Sequence, residues 1–420
     1  MIRTAKTVFL LFLGFSLQAQ SGTISPYSYA GLGEVNFRGT HENRFMGGLE
    51  VYNDSIHANL SNPSSYAKLK LTTYSLGLNY KTNKLSDFND AYRIAAASLD
   101  YIGIAIPTRL FGFGFGIVPQ TSVGYKLNRL TEVENQPTTI DIYEGEGGIN
   151  KVFFSVGFNA FKYFSFGATF NYDFGQIQYD TGRFIDEVTL GTVVQNESSI
   201  SGIDFKFSSN FEIPLSAALR LHAMYSFAPG SSLTATNSRF ILTRTYTSSS
   251  DFGTIVEVDL NDSGLDKSKI KTPDVSSFGI GVGKELKWFV GAQYTLNSMS
   301  QFSHRFISLP NVSYEDGSQF SFGGFYIPEY NSITDYWKRI VFRMGFRHEN
   351  TGIVVNKFGL KETGINFGVG LPLAGFSNAN IGLEYGIRDT GNARLLKEKF
   401  WALRIGFSLN DRWFLKRKFN

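Results

Sequence analysis

The residue types best suited to chemistry are present in this chain, but their spacing does not serve chemistry. Gly112-Phe113-Gly114-Phe115-Gly116 and Gly279-Ile280-Gly281-Val282-Gly283-Lys284 have the look of phosphate-cradling loops. Such a loop must lie between a strand and a helix N-terminus, so that backbone N–H groups converge on the anion. Here the glycines alternate with large apolar residues inside a strand-like segment, where they would form the small inward face of a sheet. The five histidines, His41, His57, His222, His304 and His348, are scattered, with no pair at the i, i+4 spacing that places two imidazoles on one helical face. No metal site is assigned. Asn261-Asp262-Ser263-Gly264-Leu265-Asp266 has the flavour of a calcium loop, yet short Asx-rich stretches usually turn by hydrogen bonding to their own backbone. There is no Gly-x-Ser-x-Gly elbow. The absence of cysteine excludes disulfides, thiolate metal sites and cysteine nucleophiles. A non-enzyme without cofactor is expected.

Composition then narrows the class. The 420 residues include 40 Phe, 21 Tyr, 4 Trp and 43 Gly, with only 18% charged residues and a net charge of +4. This is too apolar and aromatic for a disordered or nucleic-acid-binding chain, so no nucleic-acid partner is expected. Beyond residue 20 no run of 18 or more apolar residues occurs, which argues against a helical membrane bundle. Residues 1–20 read as a secretory signal peptide: Arg3 and Lys6 precede the apolar run Val8 to Phe15, and Leu17-Gln18-Ala19 supplies the cleavage site. No cysteine follows it to carry a lipid anchor.

The dominant signal after residue 70 is alternation over segments of about ten to fifteen residues, the length a tilted strand needs to cross a bilayer. Phe164, Phe166, Ala168, Phe170, Tyr172 and Phe174 oppose Ser165, Gly167, Thr169, Asn171 and Asp173. Ile340, Phe342, Met344 and Phe346 oppose Arg339, Arg343 and Arg347, and Ala379, Ile381, Leu383 and Tyr385 oppose Asn380, Glu384 and Arg388. Leu215 to Phe227 alternates likewise, with Arg220 and His222 on the polar side. About fourteen such segments are expected, including one or two within 234–260, joined alternately by short turns and by long polar loops at 127–149, 175–198, 228–273 and 299–337. Short periplasmic turns and long outer loops mark an outer-membrane barrel. A soluble β-sandwich would show polar outer faces, whereas these carry Phe, Leu and Tyr throughout. The fold expected is all-β, an antiparallel transmembrane barrel over 70–410 with a tail at 411–420. Arg412-Trp413-Phe414-Leu415-Lys416-Arg417-Lys418 would serve as an interfacial anchor or a docking element.

Three features stand out from that background. Residues 21–69 are rich in Gly, Asn and Ser and lack both periods, so they read as an irregular domain filling a lumen too wide for the wall's own side chains. Pro119 interrupts the third strand, where it cannot donate a ladder hydrogen bond; a gap or bulge at Pro119 and Gln120 should follow. Arg220, Arg339, Arg343, Arg347 and Arg388 fall opposite the apolar stripes. Each should face the lumen or sit near an interface, because a charge facing lipid at the midplane costs roughly 2–4 kcal/mol.

Asn59-Leu60-Ser61-Asn62-Pro63-Ser64, preceded by Met46-Gly47-Gly48 and followed by Tyr66-Ala67, resembles the Asn-Pro-Ala hatch signature of FadL-type outer-membrane transporters, with Ser64 in place of alanine. The resemblance implies a fourteen-stranded barrel in a Gram-negative outer membrane, a lumenal hatch that includes Asn59, Asn62, Pro63 and Ser64, and a kinked third strand that opens a lateral gate, where Pro119 and Gln120 fall. It also implies contact with outer-membrane lipid and passive uptake of a hydrophobic small molecule. The alternative is a non-transporting accessory or plug subunit with an outer-membrane protein partner, since the family includes barrels of the type nine secretion system.

Overall fold

The structure is a computed structural model that describes residues 22–413 apart from 38, 87–90, 247–251, 308, 310 and 374. The expected signal peptide and the tail from 414 onward lie outside the described residues. Fourteen antiparallel strands form the wall. In chain order they are β1 (Thr72–Ser86), β2 (Ala91–Pro107), β3 (Phe111–Thr131), β4 (Thr139–Phe161), β5 (Phe164–Ile185), β6 (Gly191–Pro214) and β7 (Arg220–Ala228), followed by β8 (Val275–Lys284), β9 (Trp288–Asn297), β10 (Gly317–Tyr326), β11 (Val341–Val355), β12 (Phe358–Pro372), β13 (Asn378–Asp389) and β14 (Lys397–Asp411). β1 and β14 pair from Thr72–Asp411 to Ser86–Lys397 and close the barrel.

The alternation sets the two faces. Along β11, Phe342, Met344 and Phe346 are exposed while Arg343 and Arg347 are buried; along β13, Ile381 and Leu383 are exposed while Asn380 and Glu384 are buried. Apolar atoms therefore coat the outside and polar atoms the inside, the inverse of a water-soluble barrel.

Four expectations about strands and their connections are corrected. The stretches 127–149 and 175–198 are mostly strand, because β3 to β6 run for 21, 23, 22 and 24 residues and continue past the apolar band before turning. The strand sought within 234–260 is not in the wall. β7 pairs directly with β8, and the insertion between them folds as strands Ser232–Arg244, Phe252–Val258 and Lys267–Lys271, laid against the upper half of β6. Conversely, β10 lies within what reads as the loop 299–337; Phe320 and Phe322 on its outer side are interrupted by Gly323-Gly324, which weakens the period. Leu215 to Leu219 form a turn, and β7 begins only at Arg220. The Asn261–Asp266 stretch is a turn closed by Gly264 N–H donating to the Asn261 carbonyl.

Residues 22–69 contain a five-residue helix α1 (His41–Phe45), two short 3-10 turns and a two-residue strand Glu34–Val35. They pack against inward faces all round the wall, and the wall glycines make the room. A Cβ on Gly114 would lie 2.3 Å from the Tyr66 ring, one on Gly167 2.3 Å from the Pro63 carbonyl carbon, one on Gly345 1.9 Å from the Gly47 nitrogen, and one on Gly382 2.4 Å from Phe45. The glycine run at 112–116 thus answers to contact with another part of the chain.

Candidate functional site

Two features of the lumen bear on function: how the N-terminal segment is held, and where the wall parts. The segment's turn around Asn62 is buried, and the Asn62 side chain is hydrogen-bonded at both its oxygen and its nitrogen. Asn62 Nδ2 donates to Asn210 Oδ1 of β6 at 3.1 Å and to the Glu50 carbonyl at 3.0 Å, while its Oδ1 accepts from Ser208 at 2.7 Å and Ser64 at 2.8 Å. Asn59 Nδ2 donates to the same Glu50 carbonyl at 2.8 Å. Pro63 occupies the first position of a 3-10 turn, Pro63–Lys68, where its missing N–H costs nothing. The hydroxyl of Ser64, standing where the resembled signature has alanine, is used in this cluster.

Toward the long-loop end, ion pairs join segment to wall. Glu384 of β13 receives Arg44 of α1 through Nε at 2.9 Å and Nη2 at 2.6 Å, Arg347 of β11 at 2.9 Å and Arg404 of β14 at 3.0 Å. Arg347 also pairs with Glu362, which accepts from Arg388 Nε at 2.6 Å. Arg388 reaches back to the segment through Glu34 at 2.6 Å and Ser25 Oγ at 2.9 Å, and Lys81 of β1 meets Glu34 at 2.8 Å. Burial alone would raise the Glu34 carboxyl, but Arg388 and then Lys81 outweigh it and hold it well below the usual carboxylate range. Arg404 and His41 converge on Asp100 at 2.6 and 3.0 Å.

Arg343, Arg347 and Arg388 are thus buried and inward. Arg220 and Arg339 stand nearer the rim, and Arg339 lines a cavity together with Glu42, His57 and Arg343. Arg220 sits at the short-turn rim between Glu212 and Glu285, and Arg339 ends the turn before β11 with its guanidinium over Tyr336. Their alternation was genuine, but each stands at or beyond its strand's end. The sequence reading missed Glu34, Arg44, Lys81, Glu362, Glu384 and Arg404. Arg404 and Glu384 both carried a signal, lying opposite apolar stripes; Glu34 and Arg44 stand in irregular chain with no period to betray them.

The wall parts between β2 and β3. Their pairing runs only from Pro107–Gly112 to Ile102–Ile117. Pro119 follows two residues later, and the β3–β4 register slips between Pro119 and Thr121, leaving Gln120 as the extra residue. Beyond the split, Glu34–Val35 adds to β3 opposite Ser122 and Thr121, and Asn36 N–H donates to the Gln120 carbonyl at 3.0 Å. Val35 is 63% exposed in this seam. Behind it lies a cavity of about 370 Å³, whose lining mixes Leu32, Phe37 and Phe302 with Arg347, Glu362 and Arg388.

A family profile described as BamG matches residues 1–420. The chain belongs to the BamG family. No curated protein sequence matches this BamG-family chain. Solved structures share its fold: the CymD monoaromatic hydrocarbon channel superposes with a TM-score of 0.57 at 13% identity, covering 91% of this chain and 98% of that one. A Pseudomonas aeruginosa FadL homologue gives 0.55 at 10% over 90% and 99%, and the Pseudomonas putida toluene transporter TodX gives 0.54 at 14% over 91% and 100%. At such identities the likeness is one of fold, and it matches the FadL-type layout the Asn-Pro motif implied. Among the described residues no group of three or more His, Asp or Glu side chains is arranged to hold a metal ion.

Proposed function

We propose that this protein is a Gram-negative outer-membrane barrel that acts as a non-transporting subunit of an outer-membrane protein complex, its lumen closed by residues 22–69 as a fixed hatch. The observation that carries this is the ion-pair lattice between segment and wall. Moving the segment aside would take Arg44 from Glu384 and Glu34 from Arg388 and Lys81, leaving buried charges short of partners, a cost of several kcal/mol for each broken pair. A hydrophobic solute entering behind the seam would meet the charges of this lattice, since Arg347, Glu362 and Arg388 line the cavity there. Phe342, Met344, Ile381 and Leu383 supply the surface toward lipid. A type nine secretion translocon is one machine such a subunit would suit.

A second function, passive lateral uptake of a hydrophobic small molecule, is favoured by the seam at Pro119 and Gln120 and by the hydrocarbon-channel names of the neighbours. One purification separates the two. Extraction from native membranes in mild detergent should yield a stoichiometric outer-membrane protein partner, and the purified barrel should show no uptake of toluene in proteoliposomes. Toluene uptake with no protein partner would overturn the subunit function in favour of transport.

A further inference from the structure

The seam is lopsided. Past Ile117, β3 keeps β4 on one side and gains Glu34–Val35 on the other. Past Ile102, β2 keeps β1 on one side, in register as far as Ala91 with only Asp100 bulged. Among the described residues no strand pairs with its other edge from Ala91 to Tyr101. Residues of an antiparallel strand turn their N–H and C=O groups alternately to the two sides, so about half of this rim's backbone groups face the gap with no ladder partner among the described residues. Its lower end lies in the apolar band, where Leu99 and Ile102 are exposed beside Leu78 of β1. In hydrocarbon each unmade bond is expensive.

Resting on the subunit function above, we propose that the β2 rim Ala91–Tyr101 is a docking edge for an extended strand of another outer-membrane protein. Only an extended backbone offers donors and acceptors at the repeat this rim requires; a small hydrophobic molecule has none. The gap already takes one added strand, Glu34–Val35, on its opposite rim. The side chains specify the newcomer. Arg93, Ala95, Ala97 and Leu99 share the outward face with Lys84, Thr82, Tyr80 and Leu78 of β1. The alanines leave room for bulky apolar residues on the incoming strand's lipid face. Arg93 stands directly across from Lys84, a like-charge pair that an acidic residue on the incoming strand would relieve.

The test places a photo-crosslinking amino acid at Ala95 or Ala97, with Met344 and Phe367 on other strands as controls, in cells at native expression. One outer-membrane protein should form adducts from the two rim positions and not from the controls. Ala95→Pro and Ala96→Pro then examine the backbone, since neighbouring residues aim their N–H groups to opposite sides. One of the two should weaken the barrel, read as loss of heat-resistant migration in gels. The other should leave the barrel intact and cut partner recovery about tenfold, the effect of roughly one hydrogen bond. Adducts to lipid alone, adducts between two copies of this chain, or a partner captured only at Met344 or Phe367 would overturn the docking edge while leaving the subunit function standing. Failure to recover any partner by purification or crosslinking would overturn both.

Discussion

Arg44 and Glu384 are 340 positions apart in the chain and form a two-pronged ion pair between α1 and β13, with Nε at 2.9 Å and Nη2 at 2.6 Å from the carboxylate oxygens. Glu384 is fully buried, and Arg347 and Arg404 reach it as well. One carboxylate thus faces three guanidiniums, and only one of the three belongs to the N-terminal segment. The pair fixes the segment to the wall through a charge the wall must neutralise in any case.

Glu384→Gln should destabilise the barrel by about 3–5 kcal/mol, the range for removing one member of a buried ion pair. Three arginines would then share a neutral amide. Heat-modifiable migration checks stability, and planar-bilayer conductance checks whether the segment has loosened. An unchanged melting temperature would show that Arg44 and Glu384 are solvated in the membrane.

Gly345→Ala isolates the packing of segment against wall without touching charge. The added methyl would lie 1.9 Å from the Gly47 nitrogen, backbone that cannot swing aside. A loss of roughly 1–3 kcal/mol is expected, the usual cost of overpacking. Gly359→Ala on β12 is the control, because nothing lies within 4 Å of its Cβ position and its stability should hold. Equal behaviour of the two variants would mean that the segment does not press on β11.

The wall was legible in the sequence because lipid outside and water inside impose a period of two that survives in Phe342, Arg343 and Met344, or Asn380, Ile381 and Glu384. It blurred where that contrast ends: the outer halves of β3 to β6 lose the apolar stripe, so they read as loops. Pro119 marked the split for a covalent reason, the missing N–H. The segment's fastening was largely illegible, since Arg44 and Glu34 meet Glu384 and Arg388 only after the chain has closed into a ring. Attention to cations alone also hid Glu384, whose place on the inward face was apparent.

Acidity should matter at the short-turn end, where His57 lies 2.7 Å from Asp54. Burial alone would lower the His57 imidazole, but Asp54, with Glu42 beyond it, outweighs burial and the opposing Arg343, and His57 keeps its proton above the ordinary histidine range. Asp54, which burial would raise, is drawn down to about 2 by the same contact. A group whose pKa rises on folding contributes stability in full below its unfolded value, about 6.5, and loses it as pH climbs through the folded value. The stability of the native protein minus that of His57→Asn should therefore shrink as pH is raised from about 6 to about 9. A difference that grows with pH would show that His57 is neutral when folded.

Pro119 decides how the seam behaves. It lies just past the last β2–β3 pair, at the slip that leaves Gln120 unmatched, and it has no N–H to offer either neighbour. Pro119→Ala restores the donor and lets β3 remain beside β2 for further residues, so the barrel should gain about 1 kcal/mol and the seam should narrow. Because the chain contains no cysteine, Val35→Cys gives a single thiol in the gap. A maleimide should label it readily in intact cells when Pro119 is present, and several-fold more slowly in the Pro119→Ala background. If the lumen is closed as proposed, toluene uptake is absent with either residue. Uptake that is present with Pro119 and falls with alanine would make the seam a lateral gate, and the fixed hatch would have to be abandoned.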